Sequence, residues 1–106
     1  MDFIMGEISA CCYMVKAGKP AAAIPLQSRF LDKAVAFIEK EYGLRVYIEE
    51  LFEGWLTLWI YKHSYILEII KTAPSKPETV FDHWVLGKLF GYDESSIGEF
   101  LATRSV

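Results

Sequence analysis

Two histidines, two adjacent cysteines and a small acidic cluster are the side chains from which this sequence could build a reactive or metal-binding centre. His63 follows a strand-like run, and His83 sits beside Asp82. A general base needs an acid to orient it. Neighbouring positions on a helix point about 100° apart, so Asp82 is badly placed to hold the His83 ring. No Ser or Cys stands at a spacing that announces a nucleophile for either imidazole. Both histidines therefore read as surface or boundary residues. Cys11 and Cys12 are vicinal, and such neighbours rarely pair with each other. Zinc would need a second pair of ligands. The two thiols read as partly buried helix residues in a reducing compartment. Glu49, Glu50 and Glu53 bunch around a turn. They read as a solvated fringe on an edge strand, since a calcium site wants more oxygen ligands at loop spacing. Gly18-Lys19-Pro20 lacks the upstream glycine and the Ser or Thr of a phosphate-binding loop. The expectation is no catalytic residue, no metal site and no cofactor.

Two constellations point to binding instead. In Leu86-Gly87-Lys88-Leu89-Phe90-Gly91-Tyr92-Asp93-Glu94-Ser95-Ser96-Ile97, a small residue precedes a turn glycine by four positions and an isoleucine follows it by six. That is the spacing of a helix-turn-helix, with Gly87 allowing close approach and Gly91 making the turn. The charge is wrong for DNA, because Asp93, Glu94 and Glu99 would meet phosphates with the same sign. A structural helical corner is the preferred reading, and nucleic acid is an unlikely partner on these grounds. The second constellation is aromatic. Trp55, Trp59 and Tyr61 alternate along one strand and share a face, which Tyr47 joins from the neighbouring strand. A helix covers that face or a partner does.

The elements that must position these groups follow from periodicity. Phe3 to Ala17 reads as a helix with Ile4, Ile8, Cys11, Cys12 and Val15 in one stripe. Gly18 and Pro20 end it. Ala21 to Pro25 reads as an apolar connector, with a helical turn as the alternative. Ser28 suits the N-cap of a helix that runs to Tyr42 and buries Leu31, Ala34, Val35, Ile38 and Tyr42. Gly43 closes that helix. From Leu44 to Glu49 the period changes to two, and after Glu53-Gly54 a second strand runs from Trp55 to Tyr61. Leu56, Leu58 and Ile60 should pack on the helix after Ser28. Ser64 to Thr72 reads as a helix, with a third strand as the alternative. Ala73 to Pro77 is a break, Pro77 opens a helix to Phe90, and Glu94 to Ala102 is the last helix. In the helix from Pro77, Phe81, Trp84, Val85 and Leu89 should share a side. Thr103 to Val106 reads as a frayed tail.

Composition agrees with one α+β domain over residues 1–106: an antiparallel hairpin, or three strands, packed with four to five helices. Just over half of the residues are hydrophobic and 15% are aromatic, which is ample for a core and leaves aromatic rings to spare. The net charge of -3 gives no basic field to attract nucleic acid or anionic lipid. No apolar run is long enough to span a bilayer, and Asp2 and Glu7 stand where a secretory signal carries basic residues. The expected location is the cytoplasm of the cell itself or of a host.

The stretch Tyr61-Lys62-His63, with Asp82-His83-Trp84-Val85-Leu86-Gly87-Lys88-Leu89-Phe90-Gly91-Tyr92, resembles small proteins of phages, prophages and mobile elements of Gram-positive bacteria. The likeness extends more weakly from Gly43 to Leu101. It implies a setting and no activity. The reading reached from the residues is a non-catalytic protein that binds another protein or a second copy of itself. The candidate surfaces are Trp55, Trp59, Tyr61 and Tyr47 on the strands, and Ile4, Ile8 and Val15 on the first helix. A helix-turn-helix regulator and an enzyme with a site assembled from scattered residues are the alternatives.

Overall fold

The computed structural model describes residues 2–73 and 77–104. In chain order the elements are α1 (Asp2–Lys16), β1 (Ala21–Gln27), a turn of 3-10 helix (Ser28–Phe30), α2 (Leu31–Tyr42), β2 (Arg45–Phe52), β3 (Trp55–Tyr61), α3 (Ser64–Thr72), α4 (Val80–Leu89) and α5 (Glu94–Arg104). The fold is α+β. The strands form one antiparallel sheet in the order β1-β3-β2, with helices on both faces.

β3 is central because it is apolar on both sides. Leu56, Leu58 and Ile60 meet Ala22, Ile24 and Leu26 of β1, Ile8, Cys12 and Val15 of α1, and Ala34 and Ile38 of α2. The expected packing of this face on the helix after Ser28 is present. On the other face Trp59 and Tyr61 meet Ala21, Ile66 and Ile70 of α3, and Leu89 of α4. The Trp59 ring stacks on Phe90 with centroids 5.5 Å apart. Its indole N–H donates to the Glu49 carboxylate of β2 at 2.6 Å, which supplies the polar partner that a buried tryptophan requires.

Glycines make the two sharpest turns around the hairpin. Gly43 closes α2 with φ 64°, its N–H reaching the Glu39 carbonyl while the Leu44 N–H reaches that of Ile38. Gly54 turns between β2 and β3 with φ 78°, a conformation that a side chain disfavours. The register shifts between Glu50 and Phe52, so Leu51 is the extra residue of a bulge.

Several boundaries differ from expectation. The segment Ala21–Pro25 is neither connector nor helical turn but most of β1, and it supplies the third strand. Alanine carries little strand preference, and proline argues against a strand interior. Both are accommodated because β1 is an edge, where small side chains fit between sheet and helix. Ser64–Thr72 is a helix, as preferred. Ser28 does not cap α2: it opens the 3-10 turn, and Phe30 precedes α2 without a side-chain cap bond. α4 begins at Val80 rather than Pro77, because Thr79 and Asp82 form a reciprocal capping box. β2 runs on to Phe52, and α5 runs to Arg104, so the backbone at 103 and 104 is helical rather than frayed. Residues 74–76 of the expected break, and 105–106 of the expected tail, lie outside the described residues.

Leu58 is fully buried at the centre of the sheet. Leu58→Ala is expected to lower unfolding free energy by about 2–5 kcal/mol in urea titration, since it leaves a cavity that helices on a sheet cannot close. A loss below about half a kcal/mol would place this face outside the core.

Candidate functional site

The side chains that could have done chemistry are dispersed or occupied. The Cys12 side chain is fully buried on α1, and burial pushes its thiol up to about 11. Cys11 is also raised, first by burial and then by the Glu7 carboxylate. Both sulfurs stay protonated at neutral pH, the unreactive form. Asp82 is committed to the α4 cap, where its carboxylate accepts from the Glu78 and Thr79 N–H groups at 3.1 and 3.3 Å. His83 instead lies against the Phe100 ring of α5, and the exposed His63 stacks on Tyr65. Among the described residues, no three His, Cys, Asp or Glu side chains come together as metal ligands.

The proposed interaction residues do not form one surface. Ile8 and Val15 are core, under the sheet, and Ile4 is half-buried beside them. Trp59 and Tyr61 are also core, because α3 and α4 cover the aromatic face of β3. Tyr47 is half-buried against that core, with the Lys71 ammonium 5.9 Å from its ring. Trp55, at the hairpin, is half-buried and packs on the exposed Phe52. The first-helix stripe and most of the strand face are therefore interior surfaces.

The apolar surface left outside is concentrated on the C-terminal helices. Val80, Phe81, Trp84, Val85, Leu86 and Leu89 spread over about two thirds of the circumference of α4, with His83 and Gly87 on the remainder, yet only Leu89 is buried. Phe81 is 69% exposed and Val80 62%. The Phe81 and Trp84 rings stack at 6.4 Å. The expected single side of Phe81, Trp84, Val85 and Leu89 is thus divided: Leu89 faces the sheet, and Phe81 and Trp84 face water. Apolar residues spread this widely mark no narrow stripe, so periodicity cannot say which side is buried.

Local contacts fix the corner that holds this surface. α4 ends at Phe90, and Gly91 turns the chain with φ 83° while the Tyr92 N–H returns to the Gly87 carbonyl at 2.9 Å. Gly87 and Ile97 touch as their spacing predicted: a Cβ on Gly87 would lie 2.8 Å from the Ile97 side chain. The Asp93 carboxylate caps α5 by accepting the Ser96 N–H at 2.7 Å. Glu94 pairs with Lys88 at 2.7 Å and accepts the Trp84 indole N–H at 3.3 Å. Lys19 also has a place here, its ammonium 5.7 Å from the Tyr92 ring beside Gly91. Between the helices lies a cleft of about 340 Å³ walled by Leu86, Phe90, Ile97 and Phe100, with His83 and Ser96 at its polar points.

The chain matches no protein-family model, no curated protein and no solved structure. No helix among the described residues is long and apolar enough to cross a membrane.

The acidic residues of the corner act locally. Asp82 is held below the usual carboxylate range, chiefly by the Glu78 N–H, and Asp93 chiefly by the Ser96 N–H. A lowered folded-state pKa gives stability that is complete above the unfolded-state value and is lost as pH falls through the folded-state one. The α4 and α5 caps are therefore expected to open on acidification below the ordinary carboxylate range. Amide chemical shifts of Glu94–Ile97 through an acid titration check this. Asp93→Asn should remove the part of the transition felt by the Ser96 N–H, while the Glu94 carboxylate, itself lowered first by Lys88 and then by Trp84, still titrates; a Ser96 shift that ignores the substitution would contradict the cap.

Proposed function

We propose that this chain is a non-catalytic protein-binding module that docks a partner on the outward face of α4. The observation that carries the reading is a helix with six apolar residues in ten, of which only Leu89 is buried while Val80 and Phe81 are largely exposed. Exposed apolar side chains grouped on one element mark a partner surface, and exposed aromatic side chains are the ones that most often anchor protein interfaces. The capping box, the Gly87–Ile97 contact and the Lys88–Glu94 pair hold Phe81 and Trp84 on a preformed scaffold, which reduces the entropy lost on binding. The resemblance to phage and mobile-element proteins fits a small module that works through a partner. The cytoplasm is the compartment that suits this reading and its two free thiols.

The helix-turn-helix spacing favours no second reading. Asp93, Glu94 and Glu99 place negative charge on α5, the helix that would have to enter a groove.

A photoreactive residue at position 81 tests the proposal in the native cell. It should give a discrete adduct of higher mass, absent when the same group replaces the exposed Glu41 of α2. Phe81→Ser should abolish a partner complex isolated in this way, yet change stability by less than about 0.5 kcal/mol, because the ring is in water. Leu89→Ala should instead cost about 2–5 kcal/mol. Identical labelling from positions 81 and 41 would contradict a docking face on α4.

A further inference from the structure

The two edges of the sheet are not equivalent. The Ser28 N–H donates to the Gly54 carbonyl at 3.0 Å, and this bond sets the phase of the antiparallel ladder. Residues of β1 in step with Ser28, namely Ala22, Ile24 and Leu26, turn their backbone polar groups to β3. Ala21, Ala23, Pro25 and Gln27 turn theirs outward. Pro25 has no N–H to offer, so the outer edge of β1 is interrupted at its middle. The same phase runs through β3 to β2. Arg45, Tyr47 and Glu49, opposite Tyr61, Trp59 and Thr57, bond inward. Val46 and Ile48 therefore present N–H and C=O to solvent, and no proline blocks them. Ile48 is 40% exposed. Among the described residues no strand pairs with this edge.

The charges along β2 are complementary to their own reversal. Arg45 and Glu49 lie two positions either side of Tyr47, on the same face of the sheet. A second β2 laid antiparallel about a two-fold axis through Tyr47 sets Val46 opposite Ile48 of the copy, twice, with both backbone bonds exchanged in each pair. It also sets Arg45 opposite Glu49 of the copy, twice, at the non-hydrogen-bonded positions where side chains approach most closely. Glu49 uses one carboxylate oxygen for the Trp59 indole, leaving the other for the guanidinium. Lys71, over the Tyr47 ring, adds positive charge on that face. Moving the axis to Glu49 would oppose two carboxylates, and moving it to Ile48 would leave Arg45 against Leu51. The charge pattern selects the Tyr47 register.

We propose that two copies of this chain associate through β2 in that register, joining their sheets into one continuous antiparallel sheet. The surface is distinct from the face of α4, so the docking reading above stands or falls separately. Sedimentation equilibrium of the full chain, up to high micromolar concentration, is expected to show a monomer–dimer equilibrium. Arg45→Glu should weaken the dimer about tenfold or more, by opposing like charges at both symmetric positions. Glu49→Gln, which keeps an oxygen for the Trp59 indole and removes the charge opposite Arg45, should weaken it in the same direction. Ile48→Pro, which removes an outward N–H, should abolish it in a chain whose far-ultraviolet circular dichroism is unchanged. A wild-type chain that stays monomeric over the whole range overturns the proposal. So does a dimer indifferent to both Arg45→Glu and Ile48→Pro.

Discussion

The apolar side chains on both sides of β3 impose the requirement that the other elements meet. A strand that is polar on one side can lie at a surface; this one must be shielded from water twice. Each of Leu56, Leu58 and Ile60 contributes about 1.5–3 kcal/mol when fully covered, and Trp59 and Tyr61 need equal cover on the opposite side. Three strands and the helices before and after them are an economical way to supply both layers. The chain before β3 covers one face with α1 and α2, and the chain after it covers the other with α3 and α4.

The second layer is the thinner, and the apolar surface of the molecule is found there. α3 contributes Ile66 and Ile70, while α4 contributes little more than Leu89 and the adjoining Phe90. The rest of α4 is held in place by its own caps and by α5, through glycine-to-isoleucine contact and an ion pair at a helix start. Those contacts are local in sequence. They can hold a helix at a fixed attitude without covering it, and so Phe81 and Trp84 remain outside.

Features with a strong local signature were readable from the residues. The change of period at Leu44, the glycines at 43, 54 and 91, and the Gly87–Ile97 spacing each report a backbone conformation or contact that only certain residue types permit. β1 was not readable, because alanine fits most conformations and proline suggests an interruption; only pairing with β3 makes that segment a strand. Nor did residue type distinguish which aromatics would be buried. Trp59 and Trp84 are equally apolar, but one stands on the central strand and the other on a helix with a single inward position. Cover depends on what lies opposite, and that is a property of the assembled layers.

The position of Pro25 has a consequence for growth. Open sheets present two templating margins, and addition at both leads to fibres rather than discrete particles. Here the outward side of β1 lacks the donor at its centre, although Ala21, Ala23 and Gln27 keep theirs, so that margin is the weaker template. A strand that pairs with β2 uses the unbroken margin, and the interrupted one disfavours further extension. The placement of one imino acid in this way biases a chain rich in apolar and aromatic residues against growth along its sheet.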